Sequence, residues 1–138
     1  MSILKDKITD LPIFSNENGS IMHVLKKSDS TFNGFGEAYI STINHNKIKG
    51  WKRHEKMTCN IVVPVGKVKF ILYCQNSFEE YILSNEEYSR LTIPASTWFA
   101  FKGLSNTNLI LNIADIAHDD DEVETLPLIN DLIPRIEL

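Results

Sequence analysis

Apolar residues in this chain alternate with polar ones or run in short blocks, and turn residues cut the blocks at regular intervals. Ile21 to Leu25, Glu37 to Ile43, Cys59 to Pro64, Lys67 to Tyr73 and Glu79 to Leu83 read as strands. So do Arg90 to Ile93, Thr97 to Lys102 and Leu109 to Ile113. Each shows period-two alternation or a short apolar run rich in β-branched and aromatic residues. Asn16 to Ser20, Asn44-His45-Asn46, Pro64-Val65-Gly66, Gln75 to Phe78 and Gly103 to Asn106 read as turns, because Gly and Asn tolerate positive φ and Pro fixes a corner. Lys26 to Gly36 reads as a surface loop anchored by Phe32 and Phe35, and Ser84 to Ser89 as a shorter one. Helical periodicity is nearly absent, and the tail around Ile129 to Ile136 is expected to form one short helix. About eight or more short strands between regular turns predict an all-β sandwich or barrel, with the double-sheet jelly roll among the commonest forms.

Composition narrows the function. The 138 residues are expected to form a single domain, residues 1–138, large enough to bury a core without disulfides or metals. A net charge of −4 argues against nucleic acid, whose phosphates need a basic face. No apolar run approaches the ~20 residues of a membrane span and no apolar leader follows Met1, so a soluble, cytoplasmic protein is expected. Cys59 and Cys74 fall inside apolar strands and are expected to be buried thiols in a reducing compartment.

Chemistry concentrates in Lys49-Gly50-Trp51-Lys52-Arg53-His54-Glu55-Lys56. Read as a strand with period two, this segment sets Lys52, His54 and Lys56 on one face and Trp51 on the other, in core or interface. Lining an interior, the row attracts a diphosphate or a carbonyl; facing solvent, it is an ordinary charged surface. Glu37 and Tyr39 become substrate-binding candidates if they point inward. Trp98 and Phe99 adjoin, so one of them faces in; Trp98 is the candidate for stacking on a sugar or base. Asp119 to Glu122 reads as a solvated acidic loop, and His23 and His45 as structural or surface residues.

Ile48-Lys49-Gly50-Trp51 followed by His54, the turn at Gly66, then Ile93-Pro94 and Trp98-x-x-Phe101 resemble the cupin-fold nucleotide-sugar enzymes. The closest look is to the dTDP-4-dehydrorhamnose 3,5-epimerase family and the dTDP-sugar 3,4-ketoisomerases, over about Asn18 to Glu122. The resemblance implies a cupin-type jelly-roll β-barrel. It also implies a homodimer in which N-terminal strands extend the partner's sheet. Its Arg-Gly-x-His-x-(His or Gln) signature puts Lys49 in the arginine place, Lys52 in the first histidine place and His54 in the second. A family lysine that stabilises the enolate has Cys59 in its place, and Phe99 stands where a later histidine would be. The family's tyrosine acid has no clear counterpart, and His118 is the nearest polar candidate.

Epimerisation beside a ketone needs a base for a carbon-bound proton, a donor on the opposite face and a cation at the enolate oxygen. Histidine titrates near neutral pH, whereas a lysine base requires desolvation or neighbouring cations. The expected assignment is therefore His54 as base, Lys49 or Lys52 as enolate partner and His118 as opposing acid, with Lys52 the alternative base. Substrate binding is expected from Lys49, Arg53, Lys56, Glu37, Tyr39 and Trp98. The implied activity is cofactor-independent epimerisation of a dTDP-4-keto-6-deoxy sugar in surface-polysaccharide biosynthesis. The alternatives are 3,4-ketoisomerisation or a catalytically lapsed sugar-nucleotide-binding cupin. No metal is expected, because Lys52 interrupts the His-x-His pair of cupin metal sites.

Overall fold

A computed structural model describes residues 6–138; the expectation about the stretch after Met1 falls in part on residues 1–5, outside those described. The strands are β1 (Ile8–Asp10), β2 (Ile13–Asn16), β3 (Gly19–Met22), β4 (Glu37–Thr42), β5 (Ile48–His54) and β6 (Cys59–Val65). They continue with β7 (Lys67–Cys74), β8 (Ser77–Ser84), β9 (Ser89–Ile93), β10 (Trp98–Gly103), β11 (Leu109–Ala114) and β12 (Val123–Thr125). Two five-stranded antiparallel sheets, ordered β1-β9-β6-β11-β4 and β12-β5-β10-β7-β8, face each other, and β2-β3 form a separate hairpin. This is the expected double-sheet jelly roll, with one correction: the strands do not close into a barrel. Each sheet keeps its own edges, so side-chain packing between the sheets, not a continuous ladder, joins them.

Alternation places the core. β11 buries Ile110, Asn112 and Ala114 while Leu109, Leu111 and Ile113 lie half-covered on the outer face. Across the gap, Val68, Phe70 and Leu72 of β7 and Phe99 of β10 meet Ile61, Val63, Leu91 and Ile93. A second apolar cluster lies on the outer face of the other sheet, where Trp51, Ile71, Trp98 and Ala100 are covered by Ile133. Leu126, Ile136 and Leu138 pack around it.

That tail is irregular chain and not the expected helix. Pro127 and Pro134 bracket the segment, and Asn130 Oδ1 accepts from the amides of Leu132 and Ile133, both at 2.8 Å. The side chain thereby offers these amides a local partner in place of helical ones. Two strand limits also shift. The turn expected over Gln75 to Phe78 is just Gln75-Asn76, with φ of 53° and 60°. Cys74 pairs with Ser77 and β8 starts two residues early, as two-residue hairpin turns allow. The strand expected over Ile21 to Leu25 ends at Met22, and the chain beyond is tied down by Arg90, which donates to the Val24 carbonyl at 2.7 Å.

The turn from β6 into β7 fixes the corner of the fold. Gly66 has φ of 93°, and a Cβ there would lie 2.2 Å from the Thr107 carbonyl oxygen. Asn108 Oδ1 accepts from the Lys67 amide at 3.0 Å, and its Nδ2 donates to Ile43 and Ser105 carbonyls. Backbone from three connections thus meets at one point. Replacing Gly66 with alanine is expected to lower stability by about 1–3 kcal/mol, from the left-handed conformation and the contact with Thr107. Urea unfolding of Gly66→Ala beside the parent protein measures it.

Candidate active site

The candidate site grows from an irregularity in β5. Opposite β10, Phe99 pairs with Lys52 and Phe101 pairs with Lys49, so two steps on β10 face three on β5. One extra residue of this kind is a β-bulge, which re-aims side chains. Lys49 and Lys52 therefore line the same cavity although they are three positions apart. Gly50 permits the close approach: a Cβ there would meet that of Ala100 at 2.5 Å. Trp51 turns to the outer cluster, 2% exposed, as its phase in the sequence implies.

The cavity encloses about 230 Å³ between the two sheets. Its walls are largely apolar, with Ile61, Phe70, Phe99, Phe101 and Ile110. Opposite the lysines, the first sheet contributes Tyr39 and Ser41 from β4, Cys59 from β6 and Asn112 from β11. Asn112 Nδ2 donates to the Tyr39 phenol oxygen at 2.9 Å. Burial raises the Tyr39 phenol above its ordinary pKa, with Cys59 adding to the rise and the Asn112 hydrogen bond opposing it. Burial likewise pushes the Cys59 thiol up to about 12, so it stays neutral and supplies no cation in the place of the family's lysine. The cation facing it is Lys52.

His54 ends β5, 3% exposed, with its ring stacked on Phe99 at a centroid distance of 6.2 Å. Phe99, not His54, forms the cavity wall at this point. His54 Nδ1 lies 2.5 Å from Glu122 Oε2. Glu122 Oε1 accepts from the Met57 amide at 2.9 Å and the Lys56 amide at 3.2 Å. Burial by itself raises the Glu122 carboxyl, but these hydrogen bonds outweigh it and hold the group below its ordinary pKa. An ionised carboxylate accepts only, so His54 carries its proton on Nδ1 and Nε2 is the basic nitrogen.

Glu122 is the residue that the sequence reading placed in a solvated loop. Asp119, Asp120 and Asp121 are indeed exposed, but they form a 3-10 turn capped by Asp119 that delivers Glu122 inward, 2% exposed. Asn112 and Ser41 were also passed over. Both sit on inward positions of alternating strands, a signal present in the pattern but shared with every core residue.

The expected residues divide sharply. Lys49, Lys52 and Tyr39 line the cavity, and His54 stands one layer behind. Arg53 faces the opposite side of β5, since neighbours on a strand point to opposite faces. It pairs with Glu124 at 2.5 Å and lies 5.4 Å from the Trp98 ring centroid. Trp98 therefore belongs to the outer cluster, and Phe99 is the inward aromatic. Lys56 lies past the end of β5 and is exposed, so it does not continue the row. His118 is exposed and bound to Asp120 at 2.7 Å, so it does not oppose His54 across the interior. Glu37 accepts from the His118 amide at 2.8 Å, pinning the segment after β11 and not lining the cavity. Among the described residues no cluster of three His, Cys, Asp or Glu side chains is placed to hold a metal ion.

A family model described as FdtA: WxcM-like, C-terminal matches residues 4–125. No curated protein sequence matches the chain. A dTDP sugar isomerase from Desulfovibrio desulfuricans G20 is 31% identical, covering 87% of this chain and 82% of its own, with a TM-score of 0.82. A dTDP-6-deoxy-D-glucose-3,5-epimerase from Legionella pneumophila Philadelphia 1, in complex with dTDP-4-keto-L-rhamnose, is 15% identical. Its TM-score is 0.77, with 86% of this chain and 71% of that one covered. A sugar 3,4-ketoisomerase from Thermoanaerobacterium thermosaccharolyticum, in complex with TDP, is 16% identical over 88% of this chain and 89% of that one, with a TM-score of 0.74.

Glu122→Ala leaves the buried ring of His54 and two amides without their acceptor, and is expected to cost about 3–5 kcal/mol. The depressed carboxyl pKa also has a sign. Its contribution to stability is complete above the ordinary value of 4.5 and is lost as pH falls through the lower folded value. Urea midpoints measured from neutral to acid pH are expected to drop in the parent protein in that window. In Glu122→Gln the part of the drop due to this group disappears.

Proposed function

This chain belongs to the FdtA (WxcM-like, C-terminal) family, and from that premise we propose that it is a dTDP-sugar-modifying enzyme. Its substrate in this reading is a dTDP-4-keto-6-deoxy sugar, and it moves protons next to the C4 carbonyl. Epimerisation is the leading reaction and 3,4-ketoisomerisation its nearest variant. The observation that carries the reading is the two-sided cavity: cationic lysines on one wall, Tyr39 and Asn112 on the other. A ring bound between the sheets has Lys52 against one face and Tyr39 against the other. At about 230 Å³ the cavity is below the usual size of a site for a drug-sized ligand. It suits the sugar and leaves the nucleotide at the mouth, near Lys49.

In this mechanism the Phe99 ring, which screens His54 from the cavity, turns aside for the substrate, and His54 Nε2 then removes the proton from the carbon beside C4. The C–H electron pair moves to the carbonyl oxygen, and the Lys52 ammonium stabilises the enolate. Glu122 holds the ring in the tautomer that makes Nε2 the base. Reprotonation from the Tyr39 wall inverts the carbon; when instead the C3 hydroxyl passes its proton to the C4 oxygen and the removed proton is returned to C4 from the His54 side, the product is the 3-keto isomer. Lys52 as the base is a second reading, favoured by its direct place on the cavity wall. The chain also acts as a cytoplasmic homodimer in this proposal. The β2-β3 hairpin supports the dimer, pairing with no other strand among the described residues and exposing Phe14 and Ile21.

Calorimetry is expected to detect dTDP binding that weakens as salt rises; no heat with dTDP at millimolar concentration removes the sugar-nucleotide reading. His54→Asn is expected to keep that binding and to slow solvent-deuterium exchange into dTDP-4-keto-6-deoxyglucose by ~10²–10⁴-fold. If Lys52→Met is the more damaging variant, the base is the lysine. Full exchange by the double variant overturns both assignments. Light scattering is expected to give a dimer for the parent protein and a smaller species for Phe14→Asp.

A further inference from the structure

Asn112 stands in the middle of β11 and lines the cavity, yet it is only 4% exposed. Its Nδ2 is used, donating to the Tyr39 phenol oxygen at 2.9 Å. Its Oδ1 is buried and has no hydrogen-bond partner among the described residues. A buried amide oxygen left without a donor loses its hydration with nothing in exchange, and such orphans are rare in folded proteins. The flanking inward positions on β11 are Ile110 and Ala114 and Ile61 lies opposite on β6, none of them a donor; the donors nearby are the Tyr39 phenol, opposite on β4 and already engaged with Nδ2, and the Cys59 thiol, a weak one. Leucine at position 112 would pack there without that cost.

The chemistry of the orphan selects its ligand. A carbonyl oxygen accepts and cannot donate, so what it takes must bring a hydrogen. Phosphate oxygens and a ketone oxygen are excluded at this point; a hydroxyl fits. Tyr39 completes the arrangement. Because Asn112 donates to the phenol oxygen, the phenol hydrogen must find another acceptor. The Met57 sulfur, at 4.0 Å, is a weak one. That hydrogen is therefore available to an oxygen in the cavity.

We propose that Asn112 and Tyr39 together read a sugar ring. Asn112 Oδ1 accepts from a ring hydroxyl, and Asn112 Nδ2 fixes Tyr39 with its hydrogen directed to an adjacent sugar oxygen. The proposal rests on the sugar-nucleotide reading above, and it makes Asn112 both a binding residue and a positioning residue for Tyr39.

Calorimetry with two ligands tests it, using dTDP-4-keto-6-deoxyglucose and dTDP on the parent protein, Asn112→Leu, Tyr39→Phe and the double variant. Asn112→Leu is expected to weaken the keto-sugar nucleotide about tenfold, the worth of a typical hydrogen bond, and to leave dTDP affinity unchanged. The double variant is expected to bind scarcely worse than the weaker single variant, because the two side chains act through a shared hydrogen bond. Equal weakening of both ligands signals a merely structural residue and overturns the proposal, as does unchanged affinity for the keto-sugar nucleotide. Fully additive losses overturn the positioning role. Asn112→Ala, which removes the same atoms, takes the place of the leucine variant if that does not fold. A parent protein that binds dTDP but gains nothing from the sugar overturns this proposal alone; one that binds neither overturns the sugar-nucleotide reading beneath it.

Discussion

One extra residue in β5 governs the interior of this protein. A regular strand sends Lys49 and Lys52 to opposite faces, because they are an odd number of positions apart. The shift between the Phe99–Lys52 and Phe101–Lys49 pairs brings both to the cavity, while Trp51 points outward by ordinary alternation with Lys52. The outward tryptophan then seeds the second apolar cluster, onto which the C-terminal tail folds. Gly50 makes the shift possible, since any Cβ there collides with Ala100. The cationic wall thus follows from a local irregularity, and the docked tail from the regular alternation beside it.

The other end of β5 is fixed by charge and hydrogen bonding. Taking both His54 and Glu122 out of water is costly unless each lone pair and proton is matched. Here one carboxylate oxygen takes the imidazole and the other takes two amides. The same contacts join β5 to the 3-10 turn before β12, whose strand pairs beside it from Val123 to Thr125. Glu122 is therefore both a structural lock and the group that decides which imidazole nitrogen is basic.

Most of the fold was legible because hydrophobic periodicity and turn chemistry agreed. β6, β7, β10 and β11 combine apolar or alternating runs with Gly, Asn or Pro at their ends, and they sit where the pattern put them. The tail misled because its apolar spacing is helical in appearance while Pro127, Asn130 and Pro134 work against a helix. Of the residues that the sequence singles out, Lys49, Lys52 and Tyr39 line the cavity and His54 stands behind Phe99. Arg53 and Lys56 were misplaced because charge alone does not say which face a residue takes or where a strand ends. Glu122 was hidden for a different reason: in a run of four acids, nothing local separates the one that turns inward. That depends on His54, 68 positions away.

What the cavity offers a ligand follows from what surrounds its lysines. Lys49 donates to the Thr42 carbonyl at 2.8 Å and has no carboxylate partner beside it on the wall. The polar lining is otherwise a phenol, a hydroxyl, a thiol and an amide, all neutral. Glu122, the buried acid among the described residues, is engaged with His54 and the two amides. Lys49 is exposed and Lys52 half-buried, so water screens the first more than the second, and a negative charge is felt more strongly beside Lys52. In the proposed mechanism Lys52 meets an oxygen that becomes negative as the proton leaves, and favouring that state over the neutral one is what would lower the barrier; Cys59 and Asn112, not an acid, stand across the cavity from it.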